Sequence, residues 1–84
     1  MNETRPSGAR LRWQCRRGML ELDELLLGYL EHGYPTAPAV DQKTFHNLLA
    51  LSDQELFDLF FGDKNSPDPQ LINVIAKIRR AAGA

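Results

Sequence analysis

Glycine and proline are placed in this 84-residue chain so that no long element can form: Gly18, the group Gly33, Pro35 and Pro38, then Gly62 and Pro69 break it into short stretches. Proline removes a backbone donor and blocks the preceding helical turn, while glycine is the residue that ends helices in the left-handed conformation. Between these breaks the apolar residues recur at steps of three and four, the period of one helix face rather than of a strand. The chain therefore reads as an all-α protein, a small bundle of about five helices in a single domain over residues 1–84, with frayed ends at about 1–6 and 81–84.

The individual helices follow from the same signals. Ser7 is placed to cap a first helix carrying Leu11 and Cys15 four apart with Trp13 alongside, and Gly18 is placed to end it. A second helix from about Leu20 to Glu31 turns Leu22, Leu26, Tyr29 and Leu30 inward. Its outer side carries Glu21, Glu24, Gly28 and Glu31. After the loop from His32 to Pro38, Phe45, Leu48 and Leu49 mark a third helix. Ser52 with Glu55 forms a capping box that opens a fourth, which Gly62 stops. Phe60 and Phe61 lie about 100° apart on that helix, so one is expected in the core and the other partly in solvent. Asp68 and Pro69 start a last helix with Leu71, Ile75 and Ile78 on its inner side.

Several function classes find little in these residues. No apolar run is long enough to span a bilayer and the polar start has no signal-peptide core, so the expected location is cytoplasmic, without membrane insertion. Cys15 is the single cysteine, which excludes an internal disulfide and a thiolate zinc site; it reads as a reduced, half-buried helix residue. Five arginines against Glu3 make residues 1–17 basic, whereas residues 18–68 hold ten acids against Lys43 and Lys64. That acidic middle argues against nucleic acid as a partner. A helix-turn-helix built from the third and fourth helices fails likewise, because the fourth bears Asp53, Glu55 and Asp58. No nucleophile, acid or base converges on an orienting group, and neither histidine has metal-ligand company: His32 suits a helix C-terminus and His46 sits beside core-facing Phe45. Scattered glycines form no phosphate loop. The expectation is a protein without catalytic residues, bound cofactor or metal.

The stretch Arg16-Arg17-Gly18-Met19-Leu20-Glu21 stands out at the junction of the first two helices. Taken alone it has a local explanation, since arginines ending one helix and a glutamate opening the next both suit the helix dipoles. Yet Arg17-Gly18-Met19-Leu20-Glu21 also resembles the RGxxE signature of the bacterial succinate dehydrogenase assembly factors, the SdhE family. Trp13 and Cys15 before it, Leu22-Asp23 after it, Glu31-His32 with Tyr34, Phe45 with Leu48-Leu49, and Asp53 with Leu56 keep the family's order over about residues 9–80. Many members carry a tryptophan in the fourth helix where this chain has Leu59.

That resemblance implies a protein that binds the flavoprotein subunit of succinate dehydrogenase or fumarate reductase and promotes covalent attachment of FAD to it. The FAD then belongs to the client, whose own histidine attacks the 8α carbon of the flavin ring. It further implies an exposed partner-binding patch of Arg17, Gly18 and Glu21, with Arg10, Arg16 and Asp23 as neighbouring contributors. Two other readings stay open at this point: an antitoxin-like regulatory interaction protein with a membrane partner, and a carrier that itself binds FAD.

Overall fold

A computed structural model describes residues 8–62 and 68–83. It contains five helices: α1 Gly8–Gln14, α2 Leu20–His32, α3 Ala39–Leu49, α4 Asp53–Phe61 and α5 Pro69–Gly83, with a 3₁₀ turn Tyr34–Thr36 between α2 and α3. No strand occurs among the described residues, so the all-α expectation holds. None of these helices is long and apolar enough to cross a membrane.

The centre of the fold is α2, against which α5 packs most extensively and which also meets α1 and α4. Its four predicted inward residues, Leu22, Leu26, Tyr29 and Leu30, are all buried. They join Phe45, Leu48 and Leu49 of α3, Leu56 and Phe60 of α4, and Val74, Ile75 and Ile78 of α5 in one core. Each fully buried leucine or isoleucine contributes about 1.5–3 kcal/mol relative to exposure, which is how segments too short to be stable alone become fixed. The rings of Tyr29 and Phe45 meet at 5.0 Å between centroids, and Tyr34 meets Phe45 at 5.5 Å. Tyr34 also shares a 2.7 Å hydrogen bond with Nε2 of His46, which accounts for that histidine structurally. Gly33 has to be glycine where the chain leaves α2, because a Cβ there would lie 2.7 Å from the Tyr29 ring.

The predicted punctuation is largely in place. Ser52 Oγ accepts from the Glu55 amide and the Glu55 carboxylate accepts from the Ser52 amide, completing the capping box. The Gly62 amide closes α4 on Asp58 O, and Asp68 accepts from the Gln70 amide at the start of α5. Phe60 is buried and Phe61 is 42% exposed, as their angular separation requires. Three details differ. The first helix ends at Gln14, before Gly18, with the Cys15 and Arg16 amides bonded back to Leu11, Arg12 and Trp13 carbonyls. Its proposed cap, Ser7, lies outside the described residues. Cys15 is fully buried rather than half-buried, and burial pushes its thiol up to about 11 against the opposing pull of Arg17 and Arg12. Finally, α5 continues to Gly83, where fraying was expected from residue 81, because its last turn packs on Gly28 of α2.

Among the described residues one charged side chain, Asp41, is buried. Asp41, 2% exposed, accepts from Lys77 Nζ at 2.6 Å and from Gln70 Nε2 at 2.7 Å, tying α3 to α5. The bond from Lys77, followed by that from Gln70, holds the Asp41 carboxyl below its usual value. Ionised Asp41 therefore adds stability that is complete above the unfolded carboxylate value of about 3.9 and is lost as pH falls through the lower folded value. In Asp41→Asn the melting temperature at pH 7 should be lower and its decline on acidification below about pH 4 shallower than in the wild type. Parallel acid profiles for the two proteins would remove Asp41 from this account.

Candidate functional site

The segment between α1 and α2 is held from two sides. Asp23, one turn into α2, accepts from the Arg17 amide at 2.7 Å and from the Gly18 amide at 3.2 Å, so each of its carboxylate oxygens anchors the turn. Gly18 has φ +83°, the left-handed region that other residues enter only at a cost. From the other side the Arg17 guanidinium donates to the carbonyls of Leu49 and Leu51, at the end of α3 and just beyond it. It also pairs with Asp53 at 3.2 Å, at the start of α4. One arginine thus supplies partners for carbonyls that the end of α3 leaves without helical donors, and fixes where α4 begins.

This geometry corrects one expectation. Arg17 is not an exposed charge: its side chain is 14% accessible and faces inward. Asp23 is likewise occupied by backbone amides. What remains outward is Gly18, with no atom within 4 Å of where a Cβ would stand, and Glu21, exposed in the first turn of α2 with no hydrogen bond or ion pair among the described residues. Arg16 and Arg10 are exposed as well.

Beside this turn lies a shallow hollow of about 260 Å³ that brings together Trp13, Gln14, Arg16, Arg17, Leu49 and Asp53. Glu21, Gly18, Asp23 and Arg10 are not among its walls. Sequence reasoning placed Trp13 with the apolar side of α1, but the indole is 75% exposed; Leu20, just before Glu21, is 73% exposed. The signal was present. Trp13 stands about 200° round the helix from Leu11, and Leu20 the same angle from Leu22, so each belongs on the outer face. Trp13 and Leu20 leave two large apolar side chains exposed near this turn, and large apolar side chains with a few charges form the centres of interfaces. Nothing in this segment combines a nucleophile with a base, and no group of three or more metal-ligating side chains occurs among the described residues.

Residues 9–82 match the family described as flavinator of succinate dehydrogenase. The FAD assembly factor SdhE of Shewanella oneidensis is 42% identical over 74 residues, covering 88% of this chain and 90% of that protein. Its counterpart in Colwellia psychrerythraea is 46% identical over 63 residues, 75% of this chain and 69% of the relative. The Pasteurella multocida protein is 38% identical over 71 residues, 84% of each. No solved structure matches the chain.

The inward Arg17 sets the expected ranking of substitutions. Arg17→Ala strips partners from two carbonyls and should destabilise the fold by about 1–3 kcal/mol. Gly18→Ala should cost about 1–2 kcal/mol through its left-handed backbone. Glu21→Ala should change stability by less than about 1 kcal/mol. Urea unfolding of the three variants would check the order, and an Arg17→Ala midpoint equal to the wild type would contradict the latch.

Proposed function

Because the chain belongs to the succinate dehydrogenase flavinator family, we propose that it is a cytoplasmic assembly factor that binds the flavoprotein subunit of succinate dehydrogenase or fumarate reductase and promotes covalent attachment of FAD to it. The observation that carries this reading is the built turn: Arg17 and Asp23 hold it from behind, while Gly18 and unpaired Glu21 face outward. A rigid, open glycine lets a partner backbone come close, and a free carboxylate beside it offers a charged acceptor to that partner.

The division of labour follows. The client contributes the histidine nucleophile and the flavin, and this chain acts by holding the client in the geometry in which the two meet. Glu21, Arg16 and the Gly18 backbone touch the client, Arg10 contributes at the edge, and exposed Trp13 and Leu20 supply apolar contact. Arg17 and Asp23 act through position. On this reading the chain is not an enzyme and the FAD is the client's.

Loss of a charged contact desolvated at an interface costs about 2–5 kcal/mol of binding. Glu21→Ala, folded like the wild type, should therefore slow flavinylation of purified apo flavoprotein subunit by tenfold or more at limiting assembly factor, read as in-gel flavin fluorescence. Wild-type rates with this variant would exclude Glu21 from the contact. A flavin absorbance titration of the isolated chain separates the carrier reading: no perturbation is expected, and saturable micromolar binding would favour a carrier.

A further inference from the structure

Helix α4 presents two phenylalanines to solvent. Phe57 is 37% exposed and Phe61 42%, and their rings meet at 5.0 Å between centroids, whereas Leu56 and Phe60 of the same helix are buried. Asp53 opens this helix and is bonded to Arg17 of the α1–α2 turn. At about 100° per residue, Phe57 stands roughly 40° and Phe61 roughly 80° round from Asp53, while Glu55 and Leu59 fall on the opposite flank. The ring pair therefore lies on the side of α4 that adjoins the Arg17 turn, about 6 Å and 12 Å along the axis from Asp53.

Arginines from two other elements hold this helix at its ends. Arg17 pairs with Asp53 at the start. At the other end the Arg79 guanidinium of α5 donates to the Phe60 carbonyl at 2.7 Å and lies 5.7 Å from the centre of the Phe60 ring. Nine residues clamped in this way keep the exposed rings in one place. Aromatic side chains already fixed in position lose little freedom on binding, which suits them to be the anchors of an interface.

Charge selects the partner. Helix α4 carries Asp53, Glu55 and Asp58 and no basic residue. Asp53 is taken by Arg17 and Glu55 by the capping box, but Asp58 accepts from the neutral Gln54 amide at 3.0 Å and has no ion pair among the described residues. Its position is about 60° round from Phe61, on the outward side. Two rings beside a carboxylate without a cation fit a segment that offers an apolar side chain next to a lysine or arginine.

Building on the assembly reading above, we propose that the flank formed by Phe57, Phe61 and Asp58 continues the client contact. It receives a basic, apolar segment of the flavoprotein subunit while Gly18 and Glu21 engage that subunit at the turn. An interface of standard size takes about 800 Å² from each partner, more than one turn presents. The turn and the flank meet at Asp53, so a single client surface covers both. A second copy of this chain fits less well, because two acidic α4 faces brought together repel.

The test is calorimetric titration of the full chain into purified apo flavoprotein subunit of succinate dehydrogenase, with sedimentation of the free chain alongside. Phe61→Ser should weaken binding at least tenfold and Asp58→Lys at least fivefold. Lysine near a helix C-terminus favours the fold, so the second variant reads binding rather than unfolding. Val40→Ser alters a more exposed apolar side chain at the start of α3, away from Arg17, and should bind like the wild type. Wild-type affinity in both Phe61→Ser and Asp58→Lys overturns the proposal, and so does an equal loss in Val40→Ser. Micromolar self-association of the free chain that Phe61→Ser abolishes also overturns it, by giving the flank to a second copy. If the α4 variants bind normally while Glu21→Ala does not, the assembly reading stands without this extension; a wild-type chain that fails to bind the subunit removes both.

Discussion

A guanidinium turned inward organises one end of this molecule. Arg17 comes from the connection between α1 and α2, yet its hydrogen bonds end on Leu49, Leu51 and Asp53, more than thirty residues away. Its planar fork satisfies several acceptors at once, which an ammonium group does less well. The Asp23 carboxylate completes the arrangement from within α2. Remove this pair and the apolar core of α2, α3 and α5 would still assemble, but the turn that carries Gly18 would lose both of its supports.

That arrangement separates the two halves of the RGxxE pattern into different physical roles. The arginine is largely enclosed structure and the glutamate is exposed surface, although only three residues lie between them. A helper protein gains from this division. Its contact residues must be available to a client and still arrive in one geometry, since each side chain or loop ordered on binding costs about 0.5–1.5 kcal/mol. Anchoring the turn in advance through Arg17 and Asp23 lowers that cost.

Much of the fold could be read from the chain because its signals were local. The capping box at Ser52, the stop at Gly62 and the start at Asp68-Pro69 depend on residues within one helical turn of one another, as does the inward set of α2. What could not be read depends on distance. No spacing announces that Arg17 would reach the end of α3, that Lys77 and Gln70 would enclose Asp41, or that the last turn of α5 would cover Gly28. The exposed face of Trp13 is an intermediate case: its angle to Leu11 was in the sequence, but its bulk suggested burial. A short basic helix at the edge of a bundle has one side to give to the core, and Leu11 with Cys15 already takes it.

The burial of Cys15 has a consequence for how this protein meets oxidants. With its thiol pushed up to about 11, only about one molecule in ten thousand carries the reactive thiolate at neutral pH. The sulfur is also enclosed within the core. Peroxide, glutathione disulfide and a second copy of the chain all need that thiolate in the open, so each meets an inert group while the domain is folded. A factor concerned with a flavin, a cofactor whose reduced form hands electrons to oxygen, thereby carries its one sulfhydryl where the by-products of that chemistry do not reach it.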